Sequence, residues 1–239
     1  MSGVQRPKAN NARRRHQIGD PGPTPKEREY LEVIYYLAVR GEPVIAARLA
    51  RWMGVQPPTV THIVKQLEDK QMINRDARGE ITLTAEGFTM AELMVRRHRI
   101  LERFLVDVMH LPWHLVHEEA VRLEHALSPA MEAQITSLVG DSPTCPHGNP
   151  IPGNLSDYAG RLSLAEAEVG HAFTIMRILE EAEEDSELIK YLQSNDLVPA
   201  AVFQISDSSP AYGVTLQRPG QSITVLPAVA ALIYGEITA

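Results

Sequence analysis

Nine histidines occur in the chain, and five of them (His98, His110, His114, His117 and His125) lie between residues 98 and 125. His98 and Glu102 are spaced i,i+4, which sets both side chains on one face of an α-helix. His117, Val121, Glu124 and His125 fall at i, i+4, i+7 and i+8, again a single face. Two adjacent antiparallel helices with these faces can present His98, Glu102, His117, Glu124 and His125 to one another. Mixed imidazole and carboxylate donors suit divalent ions such as Mn(II), Fe(II), Co(II), Ni(II) or Zn(II). One His beside one Glu is ordinarily a surface pair, and it is the recurrence that points to a metal. Cys145 with His147 reads instead as a small inert thiol in a Pro-rich loop.

The elements that must position these residues follow from periodicity. A first helix is predicted from Thr24 as N-cap, with Pro25 at the first helical position and Glu27 three residues after the cap. Its apolar positions Tyr30, Leu31, Ile34, Tyr35, Leu37 and Ala38 recur at helical spacing, and Gly41 ends it. Val44–Met53 and Pro58–Lys70 are two short amphipathic helices joined by the turn Met53–Gln56. Met72–Thr84 holds two short β-prone runs around a charged turn at Asp76–Glu80. Helix, turn, helix and a two-stranded ribbon make the winged-helix pattern. Helical periodicity returns from Ala85 to about Val108, from Trp113 to Ala126 and from Pro129 to Val139. Residues 140–163 read as a Pro/Gly/Asn loop and linker. Beyond it, β-branched runs at Ala172–Ile178, Ala201–Ile205, Val214–Leu216, Ile223–Leu226 and Ala231–Ile237, with one helix near Ser186–Ser194, predict a small β-barrel.

The third helix carries a second kind of chemistry. Val60, Ile63, Val64 and Leu67 form its apolar face, while Gln56, Pro58, Thr59, Thr61, His62 and Lys65 fall elsewhere. Small hydrogen-bonding side chains at the start of such a helix can reach base edges and thymine methyls, and Arg48, Arg51, Lys65, Arg75 and Arg78 can position phosphates. The alternatives are a helical hairpin with a solvated polar face and a winged helix that contacts protein.

The composition of the 239 residues, with 44% hydrophobic and 22% charged, is that of an average globular protein and excludes global disorder and fibrous folds. A single cysteine excludes an intramolecular disulfide framework. No apolar run approaches the ~18 residues of a membrane span, and the N-terminus lacks a signal-peptide core, so a cytoplasmic location is expected. The net charge of -7 is unevenly distributed: residues 1–100 carry 17 Lys+Arg against 11 Asp+Glu, and residues 101–239 carry 6 against 19. One half leans towards a polyanion, and the other can hold cations. Residues 1–23, rich in Arg, Asn, Pro and Gly, are expected to form a disordered basic arm. Its Arg13-Arg14-Arg15 run reads first as a solvated tail and second as a minor-groove contact.

Taken in order, the winged helix, R-H-R-I-L-E (Arg97–Glu102), V-H-E-E-A-V-R-L-E-H (Val116–His125), C-P-H-G-N-P-I-P-G (Cys145–Gly153) and the terminal β-domain resemble the diphtheria-toxin-repressor family of metal-dependent transcriptional regulators, which includes iron-dependent regulators and manganese transport regulators. The resemblance covers about residues 24–239. It implies a homodimer that is mainly α with small β: a winged-helix DNA-binding domain at 24–93, a helical dimerisation and metal-binding domain at 94–153, a linker at 154–165, and at 166–239 a small β-barrel resembling a Src-homology-3 domain.

Carried over by position, the resemblance implies an ancillary metal site of His98, Glu102 and His117, completed by Glu180 and Glu183, with Glu183 standing where the family pattern has Gln. It implies a primary, activating site of Glu29, Glu124 and His125. The iron-type regulators have Met at the position of Glu29 and Cys at the position of Val121. The manganese type has a carboxylate at the latter and an acidic residue at the position of Glu32. With no soft ligand left at that site, Mn(II) is the expected metal, followed by Fe(II) and then other divalent transition ions.

The function these readings imply is a repressor, not an enzyme, that binds double-stranded operator DNA with a divalent metal as corepressor and controls metal-uptake genes. Glu29 lies on the first helix and Glu124 and His125 on the dimerisation helices, so ligation by all three would set the spacing of two recognition helices against DNA half-sites. Two other classes are compatible with the residues. One is a winged-helix regulator of a non-metal effector, and the other is a His/Glu metalloenzyme, although no H-E-x-x-H motif occurs.

Overall fold

The computed structural model describes residues 22–124, 126–154 and 162–238. The expected arm, all but its last two residues, lies outside the described residues. The chain divides into two compact units, residues 1–95 and 96–239.

In the first unit α1 (Pro25–Val39) starts at a capping box. The Thr24 hydroxyl accepts from the Glu27 amide at 3.3 Å, and the Glu27 carboxylate accepts from the Thr24 amide at 2.5 Å. Tyr30, Leu31, Ile34 and Leu37 on its inner stripe are fully buried. The helices α2 (Ala46–Trp52) and α3 (Pro57–Asp69) follow, separated by a turn at Gly54, whose φ of 61° suits a residue without Cβ. The two strands β1 (Ile73–Arg75) and β2 (Ile81–Leu83) pair antiparallel, Ile73 opposite Leu83. Asp76 closes the ribbon by accepting from the amides of Arg78 and Glu80, each at 2.8 Å. One core, centred on Leu31, Ile34, Leu49, Val60, Val64, Leu67 and Ile81, joins these elements. Helix α4 (Ala85–Asp107) contributes Ala91 and Val95 to it.

In the second unit, residues from Arg96 of α4 pack with α5 (Val116–Glu124) and α6 (Pro129–Val139) through Ile100, Leu101, Leu105, Val116, Ala120 and Ile135. The stretch expected to be helical from Trp113 divides, because Trp113–Leu115 is a 3-10 turn ahead of α5. An antiparallel sheet follows, with strand order β3-β8-β4-β5-β6-β7. Its strands are β3 (Leu162–Ser163), β4 (Ala172–Ile178), β5 (Val202–Ser209), β6 (Gly213–Arg218), β7 (Gln221–Val225) and β8 (Ile233–Thr238). The predicted runs 172–178 and 214–216 fall inside β4 and β6, while α7 (Glu180–Glu183) and α9 (Pro227–Ala230) are added to the predicted α8 (Ser186–Ser194). Strand alternation turns Phe173, Ile175, Phe203, Ile205, Val214, Leu216 and Ile233 into the sheet's core.

The expected linker is corrected in its first part. Cys145, His147, Asn149 and Ile151 are buried, and the Ile178 amide donates to the His147 carbonyl at 2.8 Å. Gly148 lies against β4 so closely that a Cβ there would sit 2.1 Å from the Met176 carbonyl oxygen. Prolines and glycines here produce a tightly packed irregular strap, because the backbone finds partners on β4 that a free loop would take from water. Residues 155–161 lie outside the described residues, and the sheet begins at Leu162, where Leu162 and Ser163 pair with Gly235 and Tyr234.

Candidate metal centre

Four segments of the second unit converge on one buried cluster. The i,i+4 spacing on α4 places His98 and Glu102 on a single inward face, both buried. Helix α5 brings His117, whose Nδ1 lies 3.2 Å from His98 Nε2 and 3.6 Å from a Glu102 oxygen. The 145–151 strap adds His147, with Nδ1 3.4 Å from both Glu102 and Glu183. Helix α7 supplies Glu183, 3.2 Å from His117 Nδ1. Donor atoms of His98, Glu102, His117 and Glu183 all lie within 4.8 Å of one another, and so do those of Glu102, Cys145, His147 and Glu183.

The orientation of these groups is itself fixed by hydrogen bonds. The Asn149 side chain donates to Glu183 at 3.0 Å and to the Ile178 carbonyl at 2.7 Å. On the other side of the cluster, His98 Nδ1 is 3.0 Å from Glu124, which joins the two ligand sets that the resemblance kept apart. The Trp113 indole lies over His147 with ring centroids 4.6 Å apart and donates to the Pro146 carbonyl at 3.3 Å.

Burial opposes charge on every one of these groups, and their mutual fields decide the outcome. Glu102 and Glu124 overcome desolvation and hold His98 well above its ordinary value. His117, desolvated but beside the Glu102 and Glu183 carboxylates, is pushed up to about 10. His147 is raised by Glu183 and Glu102 against its burial. His147 and His98 hold Glu102 well below the carboxylate range despite desolvation, whereas burial and the nearby Glu102 raise Glu183. Burial, then Glu102 and Glu183, push the Cys145 thiol up.

Both carboxylate oxygens of Glu102 and both ring nitrogens of His147 are buried without a hydrogen-bond partner. Buried polar atoms are normally paired, and leaving one unpaired costs about 1–3 kcal/mol. Here the unpaired atoms are donors of metal-ligand type aimed into one another's space. Their chemistry and convergence fit a divalent cation held by imidazole nitrogen and carboxylate oxygen.

Of the residues read from sequence, the structure brings together His98, Glu102, His117, Glu124 and Glu183. Glu180, also on α7, is placed differently: its carboxylate accepts from Arg99, which also donates to the Pro150 carbonyl. Glu29 lies in the first unit, 2.5 Å from Lys26. His125 lies outside the described residues. Sequence reasoning passed over Asn149 and set Cys145 with His147 aside as an inert thiol in a Pro-rich loop. No helical or strand period marks them, and the signal for them was the dense Pro/Gly pattern around a His and an Asn.

In the first unit Gln56, Pro58, Thr59, Thr61, His62 and Lys65 are all exposed, while Val60, Ile63, Val64 and Leu67 are buried, as the helical period required. Arg75 is paired with Glu68 at 2.8 Å, and Arg48 with Glu42 at 3.4 Å.

Residues 24–76 match the family described as iron dependent repressor, N-terminal DNA binding domain. Residues 84–153 match iron dependent repressor, metal binding and dimerisation domain. The chain is 33% identical over 209 residues to the iron-dependent repressor IdeR of Mycobacterium tuberculosis, covering 83% of this chain and 90% of that protein. It is similar to a manganese-dependent transcriptional repressor solved in complex with manganese (TM-score 0.77, 27% identity, 89% of this chain and 99% of that one). It is also similar to the manganese regulator SloR (TM-score 0.75, 27% identity, 90% of this chain and 100% of that one). Among the described residues no helix is long and apolar enough to cross a membrane.

Proposed function

The chain belongs to the iron-dependent repressor family of the diphtheria-toxin-repressor type, and from that membership we propose that it is a repressor that Mn(II) switches on, with Fe(II) as the next best corepressor, through the buried cluster of His98, Glu102, His117, His147 and Glu183. A metal-dependent, DNA-binding, dimerising repressor is the function of the family. The choice of ion and of residues is our reading. One observation carries it: donor atoms from α4, α5 and α7 lie within 4.8 Å of one another, as do donor atoms from α4, α7 and the 145–151 strap, while Glu102 and His147 keep unpaired atoms. The donors are three imidazoles and two carboxylates, with Cys145 as the one soft donor, a set that favours Mn(II) and Fe(II) over thiophilic ions.

Within this reading His98, Glu102, His117, His147 and Glu183 hold the ion, and Asn149 orients Glu183 as a positioning residue. The ion supplies positive charge that compensates buried carboxylates and fixes the elements bearing them. Glu180, engaged by Arg99, steadies the start of α7. Glu29, Glu124 and His125 remain in the proposal as the activating set that the resemblance implies. A corepressor works only if it binds the DNA-competent ensemble better than the other. DNA is read by Gln56, Thr59, Thr61 and His62 at the exposed start of α3, with Pro58 shaping that start and Lys65 on phosphate. Metal-uptake genes are the expected targets.

An anaerobic titration of operator binding with Mn(II), Fe(II) and Zn(II) tests the choice of ion. The proposal expects activation at the lowest free concentration of Mn(II) relative to each ion's cellular availability, and Glu29→Ala should blunt it. Equal activation by all three ions would overturn the manganese preference, and an unchanged Glu29→Ala response would remove Glu29 from the set.

A further inference from the structure

A buried ion pair joins the helix that carries Glu29 to the helix that presents Gln56 and Thr59. Lys70, the C-cap of α3, donates through Nζ to the Glu27 carboxylate of α1 at 2.6 Å, across 43 positions of sequence. Glu27 is 1% exposed, and the same carboxylate oxygen closes the α1 capping box by accepting from the Thr24 amide. The Lys70 ammonium also donates to the Gly22 carbonyl at 3.2 Å, and Arg28 Nε donates to the neighbouring Pro23 carbonyl at 3.0 Å. Entry into α1 and exit from α3 are thus one joint.

The last turn of α3 is held a second time, because Glu68 accepts from Arg75 of β1 at 2.8 and 3.2 Å. The first turn, with Gln56, Pro58 and Thr59, stands exposed. A helix of 13 residues is about 20 Å long at ~1.5 Å per residue, so turning its clamped end by about 5° moves the reading end by roughly 1.7 Å. A hydrogen bond to a base edge does not survive such a displacement. For stability alone an apolar pair of similar volume would serve at the joint, since desolvating two charges offsets much of their attraction. A hydrogen-bonded ion pair adds a fixed distance and register. With two of its three donors engaged and its side chain 21% exposed, Lys70 is committed to the joint rather than to phosphate.

We propose that Lys70 is a positioning residue for operator binding: its bond to Glu27 ties the direction of α3 to the first turns of α1, so that ligation at Glu29, two residues after Glu27, is passed to the reading end of α3. This rests on the proposed roles of Glu29 as a metal ligand and of α3 as the reading helix. Lys70 touches neither the ion nor DNA. Its removal leaves each binding step intact and separates one from the other.

The test uses the full-length chain and an operator selected from random-sequence duplexes in Mn(II). Fluorescence anisotropy gives operator affinity in chelator and at saturating Mn(II) for the parent, Lys70→Met, Lys70→Arg, Glu27→Gln and the double variant Lys70→Met/Glu27→Gln. Mn(II) uptake is followed separately by the electron paramagnetic resonance of the free ion. The proposal expects Lys70→Met and Glu27→Gln to take up Mn(II) and to bind in chelator as the parent does, while their gain from Mn(II) falls at least about fivefold short of the parent's. The double variant should do no worse than either single one, because both substitutions break the same bond. Lys70→Arg should keep most of the gain. Glu27→Gln preserves the shape of the side chain, so the test stands even if the methionine variant does not fold. A parent-sized gain in Lys70→Met and Glu27→Gln would overturn the proposal. So would losses that add in the double variant, an equal loss in chelator and in Mn(II), which would mean a phosphate contact, or a loss of Mn(II) uptake, which would place Lys70 at the metal. If the parent shows no gain from Mn(II), or Glu29→Ala keeps the whole gain, the reading beneath the proposal fails instead.

Discussion

The Nε2 of His98 and the Nδ1 of His117 lie 3.2 Å apart at the centre of a buried cluster, so two imidazoles that both favour the charged form share one small volume. What keeps them together is the carboxylate of Glu102, 3.3 Å from the first and 3.6 Å from the second.

Metal binding is therefore expected to expel protons. His117 is held at about 10 and His98 well above its ordinary value, so both are charged at neutral pH and must become neutral to ligate. Affinity should rise as pH increases from about 6 to 8. Calorimetric titration with Mn(II) in buffers of different ionisation enthalpy measures the protons released per ion. The expected number is greater than zero, and a buffer-independent enthalpy would contradict it.

Trp113 reports on the same centre because its ring lies 4.6 Å from His147. Mn(II) should quench Trp113 fluorescence, and Trp113→Phe should abolish the quench while leaving the emission of Trp52, which is stacked on Tyr36 in the first unit. His147→Ala should weaken the response at a given Mn(II) concentration. Quenching that survives in Trp113→Phe would place the ion elsewhere.

The parts of this site differ in how readable they were. His98, Glu102 and His117 stand on helices whose 3.6-residue period can be counted, so their shared face follows from spacing alone. Thr24 and Glu27 likewise announce the start of α1, and the structure forms both hydrogen bonds of that capping box. His147 and Asn149 belong to a strap held by pairing with β4, a long-range contact that leaves no local period. Glu180 and Glu183 sit on a helix of only 4 residues, too short for periodicity to predict, and the choice between cluster and Arg99 is made by packing.

Glu27 links the winged-helix unit to pH. It is buried, and although burial alone would raise its pKa, Lys70 and the Thr24 amide lower it below the ordinary 4.5. A carboxyl whose folded value is depressed stabilises above its unfolded value, and that stability is lost as pH falls through the folded value. Glu27→Gln should destabilise the first unit by about 1–3 kcal/mol at neutral pH, for a lost charge-assisted bond. The difference from the parent should shrink steadily once pH drops below about 4.5. Thermal unfolding across that range checks both statements, and a gap that persists at low pH would contradict them.

On the proposed reading of α3, its exposed residues divide into base-reading and phosphate-anchoring ones. Gln56→Ala or Thr59→Ala should cost about 1–3 kcal/mol on the operator and relax preference at one base step. Lys65→Ala should weaken all duplexes evenly and reduce the salt slope by about 1. Binding to a library of operator variants tells these apart, and equal, sequence-independent losses for all three would take the reading role from the start of α3.

The buried His/Glu cluster is proposed to couple a divalent ion to DNA binding. Fluorescence anisotropy of a labelled operator, recorded for the parent and for Glu102→Gln in chelator and then in Mn(II), tests it most directly. The parent should bind weakly in chelator and at least about tenfold more tightly in Mn(II), within the usual range of coupling between sites. Glu102→Gln should need a higher Mn(II) concentration to reach the same state. Parent binding of equal strength in chelator and in Mn(II), or a Glu102→Gln chain with the parent's Mn(II) response, would mean that the cluster does not couple the ion to DNA binding.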